Sequence, residues 1–211
     1  MKPNEGHLEL AVACVDYLVQ SNNRDQETEP STQLSNVFFA RAQEQFPLQE
    51  YAVVHWPDHA KGSSELITHL LKNEKFFGEE SRSRECWWQE YRKRSRQLPR
   101  RVPVSHVASY LGIFQWARDL IERRKKQRLT FSRIPGYVNQ RDPDKRTALW
   151  WAAKGGHEAV VRLLLATGNV DADARDNNGR TPLWGGAGPG HEGAVRLLQE
   201  HRPTPNDSRE E

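Results

Sequence analysis

The chain has 211 residues, a formal net charge of +3, 36% apolar and 28% charged side chains. It is long enough to bury a core but leaner in apolar residues than a thick sheet core requires, which suits a helical, solvent-rich array. Its two cysteines, Cys14 and Cys86, exclude a disulfide framework and fit a reducing compartment. The apolar run 8–19 is interrupted by Glu9 and Asp16 and has no basic leader or small-residue cleavage site beside it, so neither a membrane span nor a secretory leader is expected.

In chain order, residues 7–20 predict a helix with Leu8, Ala11, Cys14, Val15 and Leu18 on one stripe. Residues 21–32 are polar, aperiodic and contain Pro30, which reads as a loop. Leu34, Phe38 and Phe39 open a short helix that Pro47 ends. The same proline can start the next helix, whose inner face is Leu48, Tyr51, Ala52 and His55 and whose stop is Pro57. Ser63 or Ser64 caps a helix with Leu66, Ile67, Leu70 and Leu71 inward, and a last one runs through Trp87, Trp88 and Tyr91 to Pro99. Residues 1–98 therefore read as a region of four or five short helices.

Charge is unevenly spread. Residues 82–101 hold eight basic side chains against two acidic ones, and Arg123, Arg124, Lys125, Lys126 and Arg128 form a second cluster. Between them, Ile113, Trp116, Ala117, Leu120 and Ile121 make a helical face, followed by a basic, unperiodic linker over 122–137.

From residue 147 the chain repeats itself. TALWWAAKGGHEAVVRLLL at 147–165 returns as TPLWGGAGPGHEGAVRLL at 181–198, with Thr147 and Thr181, His157 and His191, and Arg162 and Arg196 each 34 residues apart. Thr147 and Thr181 stand where a helix N-cap belongs, and Pro182 takes the first helical position. Gly156 and Gly190 suit the left-handed residue that ends a helix. A second helix then buries Val160, Val161, Leu164 and Leu165, or Ala194, Val195, Leu197 and Leu198. Neither pair can bury that face alone, so the units must stack.

The pattern D-x-x-G-x-T-P-L-x-x-A-A-x-x-G-H-x-x-V-V-x-L-L-L, which residues 176–198 largely match, resembles the ankyrin repeat. That resemblance implies a turn finger and two antiparallel helices per unit, in an array that binds other proteins. A further, degenerate unit is read at 103–121, with His106, Ala108 and Gly112 at the signature's His, first Ala and Gly. Gly112 lies 44 residues before Gly156, and the surplus of ten falls in the basic linker, where insertion is cheap. In the N-terminal region, HLELAVACVDYL and PLQEYAVVHWPDHA resemble the junction between the nucleotide-binding domain and the ankyrin array of NACHT–ankyrin signalling proteins. The expected fold is all-α: an ankyrin-type helical solenoid of about three repeats preceded by a region of short helices. Its parts are 1–98, capping or preceding the array; 99–202, the repeats (99–130 degenerate, 139–172 and 173–202); and 203–211, a disordered tail.

Departures from the signature matter. Its His is Trp150 and Trp184 in the later units, so that residue's tie between neighbouring repeats is not expected there. Lys145 stands where the third unit has the turn glycine Gly179; a left-handed lysine costs roughly 1–2 kcal/mol, unless Pro143 and Asp144 make a different turn. Gly185, Gly186, Gly188 and Pro189 replace Trp151, Ala152, Lys154 and Gly155, at roughly 1 kcal/mol per helical glycine, so the third unit is expected to fray.

Chemistry is mostly missing. No stretch fits the phosphate-binding G-x-x-x-x-G-K-[ST]. His157-Glu158 and His191-Glu192 begin a zinc motif, but Val161 and Val195 stand where the second histidine belongs. His55 and His59 are four apart without a third ligand, Cys14 lies on an apolar stripe, and Cys86 has no base at a useful spacing. No enzyme, cofactor or metal is expected. The partner is another protein, and the binding residues implied by the resemblance are Tyr110, Arg146, Trp151, Lys154, Asn177, Asn178 and Arg180, with Tyr110, Arg146, Trp151 and Arg180 exposed and carrying most of the contact energy. The alternative is nucleic acid held by the clusters at 82–101 and 123–128, with Trp87, Trp88 and Tyr91 stacking on bases. RRKKQR at 123–128 also fits a nuclear-localisation signal, so the expected placement is cytoplasmic or nuclear.

Overall fold

The computed structural model describes residues 3–24, 49–61, 70–78, 80–93, 98–128 and 137–201, and the chain divides into two compact units at Arg100 and Arg101. The helix expected at Leu34, the serine cap at Ser63 or Ser64 and the tail at 203–211 lie outside the described residues. No strand occurs among the described residues.

The first unit is built from α1 (Pro3–Arg24), α2 (Gln49–Lys61), α3 (Glu74–Phe77) and α4 (Arg82–Arg92). On α1, Ala11, Cys14, Val15 and Leu18 are buried as the periodicity predicts, and the helix packs on α2. The inner face of α2 is rotated from the expected one: Ala52, Val53, Trp56 and Ala60 are buried, while Tyr51 and His55 are exposed. Nor does Pro57 stop this helix, which runs on to Lys61. A proline inside a helix leaves the carbonyl four residues back without its donor. That carbonyl belongs to Val53, and the indole N–H of Trp87 on α4 donates to it at 2.8 Å. The aromatic core thus repairs the helix it packs against. Trp56 sits at its centre, with ring centroids 5.2 Å from both Phe76 and Trp87. Ser81 caps α4, accepting from Arg84 N at 3.0 Å, and the buried Arg84 guanidinium donates to the carbonyls of Phe76 (3.1 Å) and Gly78. One cation of the basic stretch, Arg84, is therefore buried.

The second unit is a run of helix pairs. They are α5 (Val104–Leu111) with α6 (Phe114–Arg128), α7 (Ala148–Lys154) with α8 (Glu158–Leu165), and α9 (Pro182–Gly185) with α10 (Glu192–Glu200), with a 3-10 turn at Tyr137–Asn139. The elbows of the three pairs use left-handed glycines, Gly112 (φ 70°), Gly156 (φ 66°) and Gly190 (φ 81°), a conformation that a side chain resists. One correction concerns the basic linker: α6 continues through it to Arg128, helped by pairs one turn apart, Asp119–Arg123 at 2.7 Å and Glu122–Lys125 at 3.5 Å.

The two fingers share one turn. Asp142 Oδ1 accepts from the backbone N–H of Asp144 and Arg146, both at 2.9 Å, and Asp176 Oδ1 accepts from Asn178 and Arg180, both at 2.8 Å. Lys145 adopts φ 62° where Gly179 has φ 74°, so the strained lysine is real and no alternative turn replaces it. The aspartate bonds on either side hold it there. In the third pair α9 is reduced to four residues, as its glycines predict, while Ala194 and Leu198 of α10 remain buried.

Candidate interaction surface of the helix-pair array

The interfaces between successive pairs determine which side chains are left for a partner. His106 on α5 is buried, and its Nε2 lies 3.0 Å from the Arg146 carbonyl in the next finger. Burial lowers its pKa from 6.5 to about 4, so it is neutral at physiological pH; the backbone hydrogen bonds to Arg146 and Gln140 and the charge of Asp142 pull the other way, and only the Arg146 charge adds to the depression. His157 at the start of α8 sits over Gly112, where a Cβ would lie 2.4 Å from its ring, and its Nε2 is 2.8 Å from the Tyr110 carbonyl. His191 stands over Gly156 in the same way, with a Cβ there only 2.2 Å from the ring. These histidines pack between successive helix pairs. Among the described residues no group of three or more His, Cys, Asp or Glu is placed to hold a metal.

Trp150 takes the place of His106 one unit on. It is buried, its indole N–H makes no hydrogen bond, and Gly185 faces it so closely that a Cβ would stand 3.3 Å from the ring. Finger contacts complete the interface: Asn177 N donates to Asp144 O at 2.9 Å, Asn177 Nδ2 to Pro143 O at 3.2 Å, and Arg141 to the Arg175 carbonyl at 2.9 Å.

Two of the expected binding residues are placed otherwise than the sequence suggested. Trp151 is 1% exposed and Arg146 8% exposed, so neither offers a free side chain. Both are drawn inward by Asp142, whose Oδ2 accepts from Trp151 Nε1 and from Arg146 Nε, each at 3.0 Å. The guanidinium then stacks 4.4 Å from the Trp151 ring and also pairs with Asp144. This buried triad stiffens the second finger. Tyr110 is half-buried with its ring edge on Trp151 at 5.4 Å, and burial raises its phenol pKa. Lys154 is half-buried beside Trp150, while Asn177, Asn178 and Arg180 are exposed, Asn177 with its amide already committed to the neighbouring finger.

Sequence reasoning left out Trp184, 51% exposed with the Arg180 guanidinium 3.9 Å above its ring. The signal was present: a tryptophan in a position that the next unit normally covers. In the first unit, Trp87 and Trp88 are buried among other rings and Trp88 donates to Pro99 O at 3.0 Å. That removes Trp87 and Trp88 from the expected base stacking, since aromatics facing a core cannot stack on a nucleic acid, and leaves only half-buried Tyr91 of the three. Cys14 is buried and its thiol pKa is raised by burial, which keeps it protonated.

Short helix pairs, joined by aspartate-turned fingers and stacked at a fixed interval, define a repeat solenoid whose ordered product is surface. Residues 106–209, just under half of the chain, match the family model for ankyrin repeats in three copies. Among solved structures the chain is similar to the crystal structure of the human ASB11 ankyrin repeat domain, at 25% identity with a TM-score of 0.40, covering 48% of this chain and 40% of that domain. The chain thus spans less than half the length of that neighbour. No curated protein matches it. The family match begins at residue 106, so the likeness of the first unit to a NACHT–ankyrin junction receives no support from it. Among the described residues no helix is long and apolar enough to cross a membrane.

Proposed function

We propose that this chain is a non-enzymatic protein–protein interaction module whose binding surface runs along the finger tips and the adjoining ends of the first helices. The observation that carries the reading is the contrast within the second and third units. Asp142, Arg146 and Trp151 are consumed in a buried network, whereas Lys145, Asn178 and Arg180 stand exposed beside half-buried Lys154 and Tyr110. A rigid base carrying exposed cationic and amide groups can bind with little loss of side-chain entropy. Exposed Arg and half-buried Tyr are residue types that dominate contact energies. Changing Lys145, Lys154 and Asn178 together to alanine should abolish recovery of partners from a cell extract while leaving the thermal melt within a few degrees of the parent. Recovery that survives this triple change places the binding surface elsewhere.

A finer reading makes the module a regulatory segment beside a NACHT-type nucleotide-binding domain, in the cytoplasm or, through 123–128, the nucleus. It rests on the resemblance of the two N-terminal stretches and on a pair of cysteines outside any disulfide. An open reading frame encoding a phosphate-binding loop upstream of Met1 in the transcript would support the first part, and a transcript without one removes it.

A further inference from the structure

The first unit carries three donor side chains along one outer strip of α2. Tyr51, His55 and His59 follow one another at intervals of four residues, about one helical turn each, so they rise from the same side of the helix. The Tyr51 ring lies beside that of His55, with centroids 4.7 Å apart, and its hydroxyl oxygen reaches His59 Nε2 at 2.8 Å. Pro57 falls between the two histidines, yet α2 runs on to Lys61 with the Val53 carbonyl satisfied by Trp87, and His59 stays in line. The core does not take these rings up. Ala52, Val53, Trp56 and Ala60 fill the inner face, while Tyr51 is 42% exposed, His55 is exposed and His59 is half-buried. Asp58, the acidic residue between the histidines, turns to Lys61 at 3.3 Å.

Two imidazoles one turn apart on a helix face are a chelating pair for zinc. Zinc sites with an open position carry three protein donors and a water at the fourth. Here the third donor is a phenol rather than a further His, Cys, Asp or Glu. With zinc–ligand bonds of about 2.0–2.1 Å in a tetrahedron, two ligand atoms stand about 3.3 Å apart, so the Tyr51–His59 pair has only about half an ångström to open. Metal binding replaces their hydrogen bond: the phenol loses its proton to solvent and its oxygen takes the ion as a phenolate. Magnesium prefers carboxylate and phosphate oxygens, none of which is among the three donors.

We propose that Tyr51, His55 and His59 form a surface zinc site, with the two imidazoles as nitrogen ligands, the phenolate oxygen as the third ligand and water at the fourth position. The site belongs to the first unit, and its test does not depend on the finger-tip surface.

The test is a titration of the isotope-labelled full chain with zinc chloride, followed through the backbone amide resonances of α2 by NMR. Saturable shifts should appear along α2, and magnesium chloride at the same concentration should produce none. His55→Ala and His59→Ala should each weaken this binding by at least the tenfold to hundredfold, roughly, that losing a ligand's hydrogen-bonding partner costs, and Tyr51→Phe should weaken it about tenfold. Tyr51 and His55 are exposed, so their variants should keep the parent's thermal melt. Zinc contacts elsewhere in the chain should persist in all three variants. Absence of shifts along α2, equal shifts with magnesium, or unchanged zinc binding at α2 in His55→Ala overturns the proposal. Unchanged affinity in Tyr51→Phe overturns it too, since the phenol would then be no ligand.

Discussion

Mild acid should loosen the repeat array through one side chain, His106. It is buried between the first helix pair and the second finger, with Nε2 3.0 Å from the Arg146 carbonyl and Nδ1 3.2 Å from the Ser105 hydroxyl. The neutral ring satisfies both, donating from Nε2 and accepting at Nδ1. The backbone hydrogen bonds to Arg146 and Gln140 and the Asp142 charge favour a proton on it, the Arg146 charge opposes one, and loss of hydration prevails to bring the pKa from 6.5 to about 4. Between those values the unfolded chain holds a proton that the folded chain does not. The stability this histidine contributes is therefore complete above about pH 6.5 and is lost as pH falls through about 4. At about 1.4 kcal/mol per pH unit between the two pKa values, the loss is roughly 3 kcal/mol, a large part of the stability of a small domain. Urea denaturation of the parent and of His106→Asn at pH 7 and pH 4 measures it. The variant starts lower, having lost a packed ring, but the parent should lose roughly 3 kcal/mol more than the variant between the two pH values. Equal losses would refute the reasoning, because other titrating groups would then account for the acid response.

Three further outcomes follow from particular contacts. Lys145→Gly relieves a left-handed side-chain-bearing residue at φ 62°, and urea denaturation should show a gain of about 1 kcal/mol after the added freedom of the unfolded chain is subtracted. Trp87→Phe leaves the Val53 carbonyl without its donor and should cost about 1–3 kcal/mol, and Pro57→Ala, which restores a backbone N–H four residues on, should reduce that cost in a double-mutant cycle; no coupling would mean that the indole bond does not compensate for the proline. Leu164→Asp buries an unpaired charge in the second helix pair at a cost of roughly 3–5 kcal/mol, so the whole array should lose its cooperative melt, and a variant that melts like the parent contradicts a stack that depends on this unit.

The array was legible because its signals are local and recur. A turn glycine, an apolar stripe and a capping threonine need no distant partner to be recognised, and a fixed interval of 34 residues supplied the pairing. The first unit was harder to read. The stop expected at Pro57 failed because the compensating donor, Trp87, lies 34 residues from the Val53 carbonyl in sequence, and no local rule anticipates it. The rotated face of α2 has the same cause: the core is organised around Trp56, whose ring partners on α3 and α4 decide which side turns inward. The basic linker was read as irregular for want of apolar period, yet ion pairs along its surface carry the helix to Arg128.

The expected contact residues divide by burial, and the division has a physical cause. Family positions name candidate contact residues, but whether a side chain there is free depends on what stands beneath it. Asp142 and Asp176 organise the same turn, yet only Asp142 has an indole above it to bind, because the third unit has Gly185 where the second has Trp151. The same glycine gives Trp150 its room: any side chain at 185 would press on an indole that already lies between Arg146 and Lys154. The glycines of the third unit are therefore not only a loss of helix propensity. At 185 the loss is tied to the tryptophan that replaced histidine one unit earlier, and it leaves Arg180 without an aromatic neighbour except Trp184. Trp151 over Asp142 thus buries the arginine of one finger, and Gly185 in its place leaves that of the next exposed.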